Sequence, residues 1–114
     1  MDNFMRVKRD RLLIMDDDPI FGRLACMEAE LHGFDAQWFA SLIEMGTFAK
    51  IGNFDVVIFD YYLESMLGDE IAEYVDTFFA QVPVLMISGS KVDPVRKSRW
   101  PNAVRGFMTK DVGI

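Results

Sequence analysis

In Arg11-Leu12-Leu13-Ile14-Met15-Asp16-Asp17-Asp18-Pro19, four consecutive apolar residues run straight into three aspartates and a proline. An apolar run this short and unbroken, ended by charge, points to a strand in a sheet covered on both faces, since a strand with one wet face would alternate. Asp18-Pro19 has the form of a helix start, with aspartate as N-cap and proline at the first helical position, where its missing amide does no harm. A buried strand that passes directly into a helix opens a β-α-β unit.

The rest of the chain repeats the pattern. Apolar runs at Ala36–Phe39, Val56–Phe59, Val82–Ile87 and Val104–Met108 alternate with helix-patterned segments, which predicts five strands and the α/β class, with the third and fourth strands central. Pro83 falls at the start of its strand, where a lost amide is tolerated. The first helix should stop at His32-Gly33, with glycine supplying a left-handed residue and His32 complementing the helix dipole. Ser41-Leu42-Ile43-Glu44 has capping-box spacing and predicts a second helix ending near Gly52-Asn53. A third helix is expected from about Gly68 to Phe79, with Ile71, Ala72, Val75, Phe78 and Phe79 on one face. Asp93-Pro94 starts a fourth, but Trp100-Pro101 ends it early, because the residue before proline disfavours helical geometry.

Composition narrows the function. The 114 residues are 51% hydrophobic, enough for one core and one domain. A net charge of −6 gives no basic footprint for nucleic acid. The longest early apolar run, Leu12–Met15, is far too short for a membrane span or signal core. Cys26 is the single cysteine, so it forms no internal disulfide; it is read as a small buried hydrophobe in a reducing, cytoplasmic setting. Residues 1–9 are polar enough to be a leader, with the folded domain over 10–114. The phenylalanines, the methionines, Trp38 and Trp100 are assigned to the core.

The aspartates carry the chemistry. Asp16 and Asp17 follow the first strand and Asp60 follows the third. In open α/β sheets the binding crevice lies beyond the carboxyl ends of the strands, and in the doubly wound order 2-1-3-4-5, borrowed from known folds, strands one and three are neighbours. Two carboxylates about 5 Å apart repel by roughly 3 kcal/mol at an effective dielectric of about 20, so three together call for protonation or a cation. All-oxygen ligands without histidine or cysteine suit Mg²⁺, or Mn²⁺, and Mg²⁺ pairs naturally with phosphate oxygens. Asp18 is assigned to capping. Ser88 ends the fourth strand and Lys110 follows the fifth, which brings a hydroxyl and an ammonium to the same edge. Either alone would be ordinary; together with an attacking carboxylate and a metal they supply what in-line phosphoryl transfer needs.

With these residues in view, the chain resembles the receiver domains of two-component response regulators from about residue 10 to 111. Leu12-Leu13-Ile14-Met15-Asp16-Asp17-Asp18-Pro19 is similar to the family's first strand and acidic pair, Asp55-Val56-Val57-Ile58-Phe59-Asp60 to the strand ending in the phosphoacceptor, Pro83-Val84-Leu85-Met86-Ile87-Ser88-Gly89 to the strand ending in the switch hydroxyl, and Gly106-Phe107-Met108-Thr109-Lys110 to the strand ending in the lysine. The resemblance implies a flavodoxin-like parallel sheet of order 2-1-3-4-5 and phosphoryl transfer to Asp60. It implies a metal held by Asp16, Asp17, Asp60 and the backbone carbonyl of Tyr62, catalytic contacts from Ser88 and Lys110, and an aromatic switch at Phe107. The implied partners are a sensor histidine kinase or phosphotransfer protein and an output domain in a larger protein, with neither nucleic acid nor membrane. Such a domain is not an enzyme towards separate substrates; it catalyses only its own phosphorylation and dephosphorylation.

Three departures accompany the resemblance. Asp111 follows the lysine where the family usually has proline, and a cis bond there would cost about 2.5–4 kcal/mol, so a trans loop is expected. Glu64 stands where the family has proline, which predicts a looser loop before Gly68. The sequence stops at Ile114, before the usual fifth helix, so a shortened fold or a piece of a larger protein is expected, with the usual dimer absent or made through a different surface. Asp111 and the missing fifth helix favour the competing reading, a degenerate receiver that binds partners independently of phosphate. Two hydrolase readings fail on single residues: a haloacid-dehalogenase site wants threonine where Ile20 stands, and a toprim site wants aspartate where Tyr62 stands.

Overall fold

The fold is described from a computed structural model covering residues 8–63 and 65–110. Its elements in chain order are β1 (Arg11–Met15), α1 (Pro19–Leu31), β2 (Asp35–Phe39), α2 (Leu42–Met45), a 3₁₀ helix (Phe48–Asn53), β3 (Val56–Asp60), α3 (Gly68–Phe78), β4 (Val84–Ser88), α4 (Pro94–Lys97) and β5 (Val104–Thr109). The five strands form one parallel sheet in the order β2-β1-β3-β4-β5. Met15 pairs with Phe59 across β1 and β3, and Asp60 with Ile87 across β3 and β4, so the strand ends line up along one edge.

Alternation within the strands builds two faces. Leu13, Met15, Val57, Phe59, Val84 and Met86 join the main core, which Met45, Ile51, Ile71, Ala72 and Val75 close from the other side. All five of these covering side chains are fully buried. The opposite set, including Leu12, Ile58, Leu85, Ile87 and Met108, faces α1 and leaves a cavity of about 260 Å³ beside it. Ile14, beneath α1, has no exposed surface, whereas Met108 towards the sheet edge is 44% exposed.

The first helix forms as expected: Asp18 accepts from the amides of Ile20 and Phe21, Pro19 opens the helix, and Gly33 beyond it has a φ of +91°. His32 does more than complement a dipole, since Nε2 lies 3.1 Å from Glu28 Oε2. The second helix departs from expectation. Ser41 caps it, but it stops at Met45 because Gly46 turns to a φ of +94°, and Thr47 then caps a separate 3₁₀ helix. Phe78 also leaves the predicted buried face and is 65% exposed, because the helix ends there and Phe79 turns in against Phe48 instead. β4 begins at Val84, so Pro83 precedes the strand, where its carbonyl accepts from Val57. The fourth helix is a stub, as the proline placement predicts. Among the described residues no helix follows β5. Glu64, Asp111 and the first seven residues lie outside the described residues, and so do the expectations placed on them.

Candidate functional site

Asp16 is set by what surrounds its backbone. Its amide donates to Phe39 O at 3.1 Å, and its carbonyl accepts from the Trp38 indole N–H at 2.7 Å. Trp38 can come so close only because α1 has glycine opposite it: a Cβ on Gly22 would lie 2.3 Å from Trp38 Nε1. The Asp16 side chain is wholly buried, with Oδ1 accepting from the amide of Asp18 at 2.9 Å. Asp17, one residue on, is exposed.

Asp60 closes β3 and is 4% exposed. The start of α3 presses on it from behind, where Gly68 N donates to Tyr61 O at 2.7 Å and a Cβ on Gly68 would lie 2.7 Å from the Asp60 carbonyl. Lys110, fixed by its amide bonding to Ser88 O at 2.9 Å, reaches across the edge. Its Nζ lies 2.8 Å from Asp16 Oδ2 and 3.2 Å from Asp60 Oδ2. The fold thus brings together Asp16, Asp17, Asp60 and Lys110 from three strand ends, and carboxylate oxygens of the three aspartates lie within 4.8 Å of one another.

Electrostatics follow from that crowding. Burial, and then the charge of Asp16, push the Asp60 carboxyl up from 3.8 to about 6, although Lys110 and the Tyr62 amide pull it back. Burial works against the Lys110 ammonium, but Asp16 and Asp60 outweigh it and hold its pKa above the ordinary value. One cation faces three carboxylates, so formal charge remains uncompensated. Asp16 Oδ2 is also buried without an aligned hydrogen-bond donor, its contact with Lys110 being one of proximity rather than direction. A hard divalent cation fits this donor set, since it would satisfy that oxygen and neutralise the remaining charge through oxygen ligands alone.

Other predicted site residues sit nearby in different roles. Ser88 is fully buried at the end of β4, but its hydroxyl donates to Ser90 O at 2.7 Å and accepts from Ser90 N at 3.1 Å, turned to its own loop. The Tyr62 phenol donates to Lys91 O at 2.7 Å and ties the loop after β3 to the loop after β4. Phe107 packs against Trp100, with ring centroids 5.6 Å apart, and Lys97 Nζ sits 4.1 Å above its ring. Cys26 is only half-buried rather than buried; burial and then Glu30 push its thiol pKa up, away from reactivity.

Sequence reasoning missed a second polar cluster. Asp69, 6% exposed, accepts from Arg96 Nε at 2.6 Å and a second guanidinium nitrogen at 2.9 Å, and from Trp100 Nε1 at 3.1 Å. The neighbouring Tyr61 phenol is pushed up to about 12, by burial first and then by Asp69. In sequence Asp69 has the look of an ordinary first-turn helix acid; only its pairing with Trp100 and Arg96, remote in the chain, marks it out.

Comparison with known proteins agrees with the geometry. The chain matches the family model described as response regulator receiver domain over residues 12–114. Among solved structures it is similar to a CheY-like response regulator receiver domain protein from Methanospirillum hungatei (26% identity, 92% of this chain and 84% of that one, TM-score 0.81). In fold it also resembles the response regulator protein TrrA from Thermotoga maritima, solved in complex with Mg²⁺-BeF (22% identity, 91% and 89% covered, TM-score 0.78). The chemotaxis protein CheY4 of Vibrio cholerae shares the fold as well (22% identity, 90% and 88% covered, TM-score 0.77). No curated protein sequence matches the chain. With a family match over nearly its whole length, and acidic residues gathered at the strand ends of a 2-1-3-4-5 sheet, the chain belongs to the response regulator receiver domain family.

Proposed function

We propose that this domain is a phosphorylation-controlled switch in which Asp60 accepts a phosphoryl group from a sensor histidine kinase, a phosphotransfer protein or a small phosphodonor. The carrying observation is the convergence of three carboxylates within 4.8 Å with Lys110 reaching two of them. An Asp60 oxygen attacks phosphorus, the bond from phosphorus to the donor breaks, and the bonding pair leaves with the donor. Bound Mg²⁺ would supply charge neutralisation and orient the phosphoryl oxygens. Asp16, Asp17, Asp60 and the Tyr62 carbonyl would hold it. The same-fold receiver solved with Mg²⁺-BeF supports this reading.

The chain's own groups do the rest. Burial of Asp60 keeps bulk water from the reacting carboxylate, and Lys110 supplies a fixed ammonium for an oxygen of the transferred group. Ser88 would leave Ser90 to contact a second oxygen, and Phe107 would follow it, carrying the change to Trp100 and α4. The domain catalyses only its own phosphorylation and dephosphorylation, and an output domain or partner would read the change.

The competing reading is a phosphate-independent binding module, in which the Lys110 ammonium paired with Asp16 and Asp60 would serve as the site's counter-charge in place of a metal. Incubation with acetyl phosphate and Mg²⁺, followed by intact mass, separates the two. The switch requires a phosphoryl adduct on wild type and none on Asp60→Asn. No adduct on either would favour the module.

A further inference from the structure

α1 exposes an apolar stripe on the side away from the sheet. Ile20, Leu24, Met27 and Leu31 are spaced by four, three and four residues and are 71%, 46%, 62% and 81% exposed. That spacing is the a/d seam of a helix pair, and large apolar side chains are seldom left in water in such a row. The helix's contacts with the sheet do not use it: Gly22 is the buried residue of α1, and Phe21, Ala25 and Ala29 line the cavity beside the sheet.

We propose that this seam pairs with the same seam of a second copy of the chain, as an antiparallel α1–α1 dimer about a twofold axis near residues 25 and 26. Either sense of pairing would set apolar against apolar, and the flanking charges and the acidic clusters select the antiparallel one. Reversal sets Ile20 of each copy against the other's Leu31, and Leu24 against Met27, so every apolar residue meets one of its own kind. The flanking positions agree: Arg23 and Glu30 are exposed on the same side of the seam, and reversal brings Arg23 of each copy beside Glu30 of the other. Arg23 makes no hydrogen bond or ion pair among the described residues, and Glu30 uses one oxygen on the Ala36 amide, leaving the other available. Parallel pairing would place the two Asp16, Asp17 and Asp60 clusters side by side at the N-terminal ends of the helices, in a chain of net charge −6. A pair of helices this short buries less than the roughly 800 Å² per partner of a standard interface, so the dimer is weak and concentration-dependent. It requires neither metal nor phosphoryl group and stands independently of the function proposed above.

Sedimentation equilibrium over a concentration series tests it, with Met27→Glu, Arg23→Glu and Glu30→Arg, all at exposed positions of a helix. Wild type should shift from monomer towards dimer as concentration rises, and each variant should remain monomeric over the same range. Arg23→Glu and Glu30→Arg mixed in equal amounts should recover the dimer, because each copy then faces opposite charges at both flanks. A wild type that stays monomeric at millimolar concentration overturns the proposal, as does a dimer that survives Met27→Glu or a mixture that fails to associate.

Discussion

The indole N–H of Trp38 donates to the backbone carbonyl of Asp16 at 2.7 Å, so a residue of β2 fixes the turn that aims the first carboxylate of the site. Trp38→Phe keeps the ring's bulk but removes the donor, leaving a carbonyl beside a buried residue unpaired at a cost of about 1–3 kcal/mol. We expect a lower melting temperature and several-fold weaker Mg²⁺ binding by calorimetry. Gly22→Ala should act in the same direction, since the new methyl would meet the indole at 2.3 Å. Unchanged Mg²⁺ affinity in both variants would show that the bond does not position Asp16.

Asp60 makes the metal-free protein less stable as pH rises. Its carboxyl is raised from 3.8 to about 6, so the folded state holds the proton more tightly than the unfolded chain does. The stabilisation is complete below the unfolded value and is lost as pH climbs through the folded one. Asp60→Asn carries no such penalty and should be more stable than wild type near pH 7 by about 1–3 kcal/mol in chelator, with the difference vanishing near pH 4. Denaturant melts at the two pH values check this; a variant less stable than wild type near pH 7 would contradict it.

Lys110 pairs with Asp16 and Asp60, the carboxylates that the proposed function gives to a cation. Its removal in Lys110→Ala leaves two buried carboxylates facing each other without a counter-charge, which should cost about 1–3 kcal/mol in chelator after allowing for the lysine's partial exposure. Mg²⁺ binding should persist and tighten, because the competing ammonium is gone. Wild type is expected to change its tryptophan fluorescence on adding beryllofluoride and Mg²⁺, and the variant should lose that change. Weaker Mg²⁺ binding, or an unchanged fluorescence response, would refute the role given to the lysine.

Asp69 anchors Arg96 and Trp100 to the start of α3. Asp69→Asn cannot accept both guanidinium bonds as a charged pair, and a lower melting temperature is expected, the effect kept modest because Arg96 is itself exposed. Trp100 emission should shift to the red while Mg²⁺ affinity stays at the wild-type value. A change in Mg²⁺ affinity would instead couple this cluster to the acidic site.

Much of this protein is written locally. Leu12–Met15 and Val56–Phe59 could be read as buried strands because burial on both faces leaves no place for polar alternation, and Asp18-Pro19 and Asp93-Pro94 mark helix starts through bonds to amides two or three residues on. The acids that gather at the site were legible for the same reason, since each follows the end of such a strand. The second helix was misjudged because Gly46 can continue a helix or end it, and local sequence does not choose between the two.

The sequence by itself determined the strands, most helix boundaries and the identities of the groups at the site, because those depend on interactions within a few residues. Tertiary structure alone decided that Lys110 pairs with Asp16 as well as Asp60, and that Trp38 and Asp69 hold distant segments in place. These contacts join residues far apart in the chain, and their geometry is set by how closely helix and sheet can approach, a distance fixed by packing rather than by any local pattern.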